Sequence, residues 1–294
     1  MFKIGIDLGG TKIEGILLNE KLWECKRLRI STGQKDGYDA IIARIAGLYK
    51  ELSSAIGRGE HTFGIGVPGS LSPNTGAIRF CNIQCMNGRP LADDLATIVG
   101  RCPAIANDAN CFALAETRCG AAQGAATVFG MVLGTGCGGG VVINGEMMDG
   151  ANKIAGEWGH TVLDPSGPPC YCGRRGCVER YLSGNALEDA YAKKSGDPIS
   201  LPAILSRASE GEVTAQHVIN GFLEAFGCAT ANLVSLLDPD VIVIGGGLSH
   251  IDAIYSVGAS KVALNVMGGN LCTRIIRNGL GASSGVVGAA LIGC

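Results

Sequence analysis

A pattern of apolar strand, glycine-rich turn and second apolar strand occurs twice in the chain, and it constrains the fold more than any other feature. The first copy reads IGIDLGGTKIEGILLN from residue 4, and the second reads GMVLGTGCGGGVVING from residue 130. Each copy opens the same predicted order of elements, βββαβα, and each carries a threonine in its turn. Such a long repeat is not a short-period solenoid. It predicts two related α/β lobes within 294 residues.

The composition excludes several classes of protein. Hydrophobic residues make up 47% of the chain and charged residues 17%, which is typical of a globular domain with a sizeable core. The net charge of −2 and the lack of a basic run argue against nucleic-acid binding, because neutralising phosphates needs clustered Lys and Arg. The N-terminus does not resemble a signal peptide, and no run of about 18 apolar residues predicts a membrane span. We therefore expect a cytoplasmic protein.

Three glycine-rich turns follow predicted strands and are candidate phosphate sites. They read DLGGTK (7–12), LGTGCGGG (133–140) and IGGG (244–247). Glycines let backbone N–H groups approach an anion, although any one turn is equally compatible with a plain hairpin. A Walker loop is excluded because Thr11 follows Gly10, and a dinucleotide fingerprint is disfavoured because a strand follows the GxGxxG match at 134–139. We predict a phosphate-binding hairpin in each lobe, with Asp7 holding Mg²⁺ through water.

The stretch GHTVLDPSGPPCYCGRRGC, residues 159–177, contains three cysteines and a histidine. A disulfide is disfavoured, because the chain has 13 cysteines, an odd number, and no export signal, which indicates a reducing compartment. Three thiolates and one imidazole make a closed tetrahedral site of the structural zinc type. The predicted ligands are His160, Cys170, Cys172 and Cys177, and the alternative is four residues without a metal.

The ordered set of motifs resembles the ROK sugar kinases, which belong to the actin/hexokinase-like ATPase superfamily. The motifs are IGIDLGGTK, VPGS, ANDAN, LGTGCGGG, AGEWGH, CYCGRRGC and VIVIGGG, and they span essentially the whole chain. The resemblance implies an α/β, two-lobed actin/hexokinase-like (ribonuclease H-like) ATPase fold, with ATP against the glycine turns and a sugar deeper in an interlobe cleft. We place the N-terminal lobe at 1–117 plus 276–294, and the C-terminal lobe at 118–275 with a zinc-binding segment at 157–180.

The resemblance also implies a role for each motif residue. Asp108 matches the catalytic base, which a sugar hydroxyl needs because it is a poor nucleophile. Taken without the motif, Asp108 reads as a plain helix N-cap. The candidate sugar-binding residues are Gly69, Asn82, Asn87, Asn107, Asp108, Glu157, His160 and Glu179. The candidate ATP-binding residues are Asp7, Gly9, Gly10, Thr11, Lys12, Gly134, Thr135, Gly136, Gly245, Gly246 and Gly247.

The segment VPGSLSPNTGAIRFCNIQCMNGRPL is expected to line the sugar pocket, although Asn87 and Gly88 also read as an ordinary turn. Its GSLSPNTG and NGRPL resemble the bacterial fructokinase and mannokinase branch, so fructose is the predicted acceptor through its 6-hydroxyl. The alternatives are an N-acetylglucosamine or N-acetylmannosamine kinase and a sugar-binding regulator without catalysis. The phosphate segment starts at Asp7, so we expect no N-terminal DNA-binding domain. The expected partners are ATP with Mg²⁺, a small sugar and a second copy in a homodimer, without nucleic acid or membrane.

Overall fold

The computed structural model describes residues 1–57 and 59–293. The strands are β1 (Phe2–Leu8), β2 (Lys12–Leu18), β3 (Glu24–Ser31), β4 (His61–Val67), β5 (Ser70–Leu71), β6 (Ile78–Arg79), β7 (Ala104–Asn107), β8 (Thr127–Leu133), β9 (Cys137–Ile143), β10 (Glu146–Met147), β11 (Val241–Gly245) and β12 (Arg274–Arg277). The α-helices are α1 (Tyr38–Ser54), α2 (Leu91–Val99), α3 (Asp108–Arg118), α4 (Glu179–Leu182), α5 (Gly184–Ser195), α6 (Leu201–Ser209), α7 (Val213–Leu237), α8 (Val257–Asn265) and α9 (Ser284–Ile292).

Two five-stranded sheets share one strand order. The first sheet is ordered β3-β2-β1-β4-β7 and the second β10-β9-β8-β11-β12. In the first, β1 pairs antiparallel with β2 and parallel with β4, which pairs parallel with β7. In the second, β11 pairs parallel with both β8 and β12. The internal repeat predicted from the two strand–turn–strand segments is therefore confirmed at the level of sheet topology.

The apolar patterns explain most of these elements. Strand β11, VIVIG, is buried at every position, as expected for a parallel strand covered on both faces. Helix α1 buries Ile41, Ile45, Leu48 and Leu52, the residues whose spacing predicted it. Helices α5 and α6 and strand β12 were not predicted. The residues after VIVIGGG, predicted to be helical, form two short 3-10 helices, Gly247–His250 and Asp252–Ile254, and then helix α8.

The described chain divides into two compact units. The first comprises Met1–Gly120, Gly140–Ala155 and the segment from Leu280, and the second comprises Ala121–Gly139 and Gly156–Gly279. The predicted lobes differ from these units mainly at Gly140–Ala155, which groups with the first unit, and by a few residues at 118–120 and 276–279. The segment contacts α3 of the first unit, because a Cβ on Gly140 would lie 2.6 Å from the carbonyl oxygen of Ala109, and Arg118 forms an ion pair with Glu146 at 2.7 Å. Residue 294, the end of the predicted N-terminal lobe, lies outside the described residues.

Within the part of the chain that the structure describes, no helix is both long and apolar enough to cross a lipid bilayer.

Helix α9 lies in direct backbone contact with its neighbours in the first unit. A Cβ atom on Gly288 would overlap the carbonyl oxygen of Cys111 in α3. A Cβ on Gly5 of β1 would overlap the backbone of Ala290, and one on Gly64 of β4 would overlap the carbonyl of Ala289. These glycines allow α9 to approach one helix and two strands more closely than any side chain would permit.

We predict that Gly288→Ala lowers the free energy of unfolding by about 1–3 kcal/mol, because the added methyl group forces α9 away from α3. The matched control is Gly47→Ala on the exposed face of α1, where an added Cβ meets nothing within 4 Å. That change should raise the free energy of unfolding by about 0.5–1 kcal/mol, because alanine favours helix. Urea unfolding followed by circular dichroism measures both, and equal effects would contradict the packing argument.

Candidate active site

In the first unit, strand β7 passes directly into helix α3 at Asn107 and Asp108. The Asn107 side chain caps the helix, since its Oδ1 accepts the N–H groups of Ala109 at 2.8 Å and Asn110 at 3.3 Å. The N-cap role that Asp108 had as an alternative therefore belongs to Asn107. Asp108 is the first helical residue, so its carboxylate lies at the positive end of the helix dipole.

Gly69 is in contact with the same strand–helix junction. Its carbonyl oxygen accepts a hydrogen bond from Nδ2 of Asn107 at 3.0 Å. Its φ angle is 131°, and a Cβ there would lie 2.7 Å from the carbonyl oxygen of Arg79 and 3.0 Å from the nitrogen of Cys81. The structure therefore brings Gly69 and Asn107 together, and it requires glycine at position 69.

Asn87 closes the loop that follows β6. Its Oδ1 accepts the N–H of Cys81 and its Nδ2 donates to the carbonyl of Cys81, both at 2.9 Å. Gly88, with φ of 79°, completes the turn that was the alternative interpretation of this pair. Asn82 is exposed within the closed loop. These contacts indicate that Asn87 shapes the loop. The side-chain amide of Asn82 is exposed on that loop.

The first glycine turn is held by one hydrogen bond within it and by two hydrogen bonds from residues outside it. The N–H of Gly9 donates to the carbonyl of Lys12 at 2.9 Å, which closes the turn between β1 and β2. Thr32 donates its hydroxyl to the carbonyl of Gly9 at 2.6 Å, and the side-chain amide of Gln34 donates to the carbonyl of Gly10. Thr11 is exposed at the tip of the turn.

Asp7, the predicted magnesium ligand, precedes this turn. Burial, followed by the charge of Glu14 opposite it on β2, raises the pKa of Asp7 to about 6, while Lys12 acts in the other direction. A bound cation favours the charged form of a carboxylate and so opposes this shift. Mg²⁺ prefers oxygen ligands, and the Asp7 carboxylate lies next to a candidate phosphate turn. Asp7 therefore fits the predicted ion.

Glu14 was missed by the sequence analysis. Its side chain is only 2% exposed, and it forms ion pairs with Arg27 at 2.6 Å and Arg29 at 2.9 Å. Lys12 of the phosphate segment is 3.3 Å away. Burial alone would raise the pKa of Glu14, but the hydrogen bonds from Arg27 and Lys12 outweigh burial and lower it. The available signal was an acid inside the apolar strand KIEGILL, followed on β3 by two arginines at strand spacing.

The second unit contains the other two glycine turns. The N–H of Gly134 donates to the carbonyl of Gly136 at 2.9 Å, which closes the turn between β8 and β9. Gly246, with φ of 82°, packs against it, since a Cβ there would lie 3.1 Å from the nitrogen of Gly134. Glu179 Oε2 accepts the N–H of Cys137 at 2.9 Å. Glu179, a predicted sugar ligand, thus fixes the second glycine turn.

Glu157 immediately precedes one turn of 3-10 helix, Trp158–His160, and His160 is its last residue. The Trp158 indole holds this turn, because it donates to the carbonyl of Gly138 at 3.1 Å and packs edge-on against Phe129 at 5.7 Å. The two side chains therefore start from neighbouring points on a well-anchored segment.

His160 lies beside the three predicted cysteine ligands. The four ligand atoms, one imidazole nitrogen and three sulfurs, all lie within 4.8 Å of one another. His160 Nδ1 is 3.6 Å from Cys170 Sγ, and Cys172 Sγ is 3.5 Å from Cys177 Sγ. A tetrahedral zinc ion with Zn–S bonds of about 2.3 Å places its sulfur ligands about 3.8 Å apart. A disulfide needs an S–S distance of about 2.05 Å. The donor set therefore fits zinc.

The local backbone explains why the cluster forms. Two short bridges, Val162 with Cys177 and Pro169 with Arg175, fold the segment back on itself. Gly176 has φ of 62°, and a Cβ there would overlap the carbonyl of Asp164. The glycines of CYCGRRGC thus permit the tight return that places Cys177 next to His160.

A model of the ROK family matches residues 3–293. The chain belongs to the ROK family. It is 37% identical over 298 residues to the N-acetyl-D-glucosamine kinase of Vibrio cholerae serotype O1, and the alignment covers 98% of each chain.

Two solved structures of the family resemble the chain. The ROK hexokinase from Thermus thermophilus has a TM-score of 0.91 at 31% identity and covers 100% of this chain and 98% of its own. A ROK family glucokinase from Streptomyces griseus, solved with glucose and AMPPNP, has a TM-score of 0.83 at 28% identity and covers 100% of this chain and 99% of its own. The predicted α/β class and actin/hexokinase-like ATPase fold are confirmed by these similarities.

We predict that Asn107→Ala lowers the free energy of unfolding by about 1–2 kcal/mol, because helix α3 loses its N-cap and the bond to Gly69. Asn82→Ala removes an amide of the same size from an exposed position and should change stability by less than about 0.5 kcal/mol. Urea unfolding of both variants measures the difference. If the two variants were equally stable, the Asn107 side chain would not be the cap that the geometry indicates.

Proposed function

We propose that the chain transfers the γ-phosphoryl group of ATP to the 6-hydroxyl of an N-acetylated hexosamine, with N-acetylglucosamine as the first candidate. Family membership and the kinases among its relatives make the chain an ATP-dependent sugar kinase. The observation that carries the choice of sugar is the 37% identity to an N-acetyl-D-glucosamine kinase over 98% of both chains.

Asp108 is the proposed general base. A carboxylate accepts the proton of a sugar hydroxyl as the bond to phosphorus forms, and it must be held in position to do so. The position of Asp108 is fixed by its neighbours, because Asn107 caps the same helix and is bonded to Gly69. Asn107 has one Nδ2 proton beyond the bond to Gly69, so it can also donate to a sugar hydroxyl.

The glycine turns are the proposed phosphate sites. Turn 9–12 and turn 134–136 offer backbone N–H groups to an anion, and Lys12 adds a positive charge. Magnesium, held near Asp7, would neutralise charge on the phosphates when ATP is bound. Glu14 supports this end of the site by fixing Lys12 from a buried position.

Zinc, held by His160, Cys170, Cys172 and Cys177, is proposed to be structural. All four positions of a tetrahedral ion would be filled by protein, which leaves none for a reacting group. His160 would bind the ion through Nδ1 and keep Nε2 for a sugar hydroxyl. The ion would therefore orient the imidazole and take no part in phosphoryl transfer.

Fructose, the acceptor predicted from GSLSPNTG and NGRPL, is not favoured by the relatives. In the structure these two sequence segments form local turns. Ser72 and Ala77 close the β5–β6 hairpin with a backbone bond of 2.8 Å, and Asn87 closes the next loop. Kinases for different sugars can share a pattern that specifies backbone shape. We therefore adopt the N-acetylhexosamine alternative in place of fructose.

The proposal is tested by measuring ADP release with ATP and Mg²⁺ against a panel of sugars. We expect fastest turnover on N-acetylglucosamine, with slower turnover on N-acetylmannosamine, N-acetylgalactosamine, glucose, mannose and fructose. Asp108→Asn should lower kcat by about 10²–10⁴-fold, because the amide cannot accept the proton. Cys228→Ser, at an exposed position on α7, serves as a folded control that keeps the base and every candidate sugar-binding residue.

Each outcome separates one part of the proposal from the rest. Turnover that survives Asp108→Asn would retain the kinase and reject the base. Preference for an unacetylated hexose would retain the kinase and reject the sugar. Sugar binding without ADP release would instead favour the regulator alternative.

Metal removal is predicted to weaken sugar binding. Stripping zinc with a chelator, or replacing Cys172 by serine, should raise the sugar dissociation constant about tenfold or more, because His160 loses its orientation. The control is Cys228→Ser, an exposed cysteine on α7 away from the cluster. Metal content by mass spectrometry and sugar affinity by calorimetry are measured together. Full sugar affinity in the metal-free protein would contradict the proposed role of zinc.

A further inference from the structure

Tyr171 contacts the nitrogen of His160 that the proposed function assigns to the sugar. Its phenol oxygen lies 2.9 Å from His160 Nε2, and the two rings are nearly perpendicular, at 89°, with centroids 5.1 Å apart. The other ring nitrogen, Nδ1, faces Cys170 Sγ at 3.6 Å. One side of the imidazole is thus directed to the cysteine cluster and the other to the tyrosine.

The chemistry of the imidazole makes the phenol a competitor of the sugar. A neutral histidine that binds a metal through Nδ1 carries its proton on Nε2, and that N–H needs an acceptor. In that tautomer the Tyr171 oxygen, 2.9 Å away, is the acceptor. A sugar hydroxyl bound at the same N–H would present an oxygen of the same kind to the same proton. One N–H makes one well-directed hydrogen bond, so the two oxygens cannot both hold it well.

Tyr171 is also easy to displace. Its side chain is 80% exposed, so little packing holds the ring in place. Gly173, two residues later, has φ of 89° and open space around its Cβ position. Tyr181 in the same unit provides a contrast, because it is half-buried and its hydroxyl is bonded to Asp164 Oδ2 at 3.2 Å.

We propose that Tyr171 is a stand-in ligand for the sugar. In the sugar-free protein its phenol accepts the Nε2–H of His160, and the ring moves away when a sugar hydroxyl takes that N–H. Tyr171 thereby keeps the imidazole in the tautomer that both the metal and the sugar require, at the expense of some sugar affinity. This inference rests on the proposed function, since it takes His160 as a sugar ligand.

The test compares Tyr171→Phe with the matched control Tyr181→Phe, which removes a hydroxyl from the neighbouring tyrosine. We expect Tyr171→Phe to bind N-acetylglucosamine about threefold to tenfold more tightly, because one competing hydrogen bond is lost. KM for the sugar should fall by a similar factor, while kcat and zinc content stay unchanged. Tyr181→Phe should leave the sugar affinity unchanged. Calorimetry, steady-state kinetics and metal analysis give these values.

A second measurement follows the ring itself. Sugar binding should change the ultraviolet difference spectrum of tyrosine in the wild type and in Tyr181→Phe, and the change should be absent in Tyr171→Phe. Weaker or unchanged sugar binding in Tyr171→Phe, with zinc retained, would overturn the inference and leave the kinase proposal standing. Failure of any panel sugar to bind the folded, zinc-loaded wild type would overturn the proposed function and this inference with it.

Discussion

The absence of any linker between β7 and α3 is the constraint on which the candidate site depends. The strand ends at Asn107 and the helix begins at Asp108, so one peptide unit has to end a sheet, cap a helix and present a carboxylate. The two residues divide these tasks. Asn107 satisfies the first N–H groups of the helix and holds Gly69, and Asp108 is left at the helix start. With a longer connection, the Asp108 carboxylate would no longer be tied to the end of β7, and its position would be less well defined.

Much of this arrangement was predictable from sequence, because strand and helix periodicities are strong in the buried elements. The two strand–turn–strand segments predicted two related α/β lobes, and the structure has two five-stranded sheets with the same strand order. The cysteine spacing indicated four ligand atoms that the structure places close together. Other features depend on contacts between residues far apart in sequence. The ion pairs of Glu14 join two strands, and Gly140–Ala155 groups with the first unit through side chains of α3. For Glu14 the sequence offered a signal, an acid in an apolar strand followed by two arginines on the next strand, but the grouping of Gly140–Ala155 had no local signal.

Glycine shows why composition alone could not assign roles. The chain has 46 glycines, and the same letter serves different purposes. Gly10 lies in a candidate phosphate turn beside the Gln34 side-chain amide, Gly246 allows one turn to pack on another, and Gly288 allows two helices to touch. Asn87 was likewise read as a sugar contact or a turn residue, and its bonds to Cys81 became visible only with the loop closed. The sequence identifies the residue type, and the contacts in the folded structure show which role that residue has.

The short distance along the chain between Cys177 and Glu179 has a consequence for how such a protein can change over evolution. Cys177 belongs to the ligand cluster, and Glu179, two residues later, is bonded to the backbone of the second glycine turn. Two residues of ordered chain have little freedom to move independently. A substitution that displaces the ligand cluster is therefore transmitted to the turn proposed to hold phosphate. Asn82 belongs to the first unit, and its exposed side chain can change without displacing either of these groups.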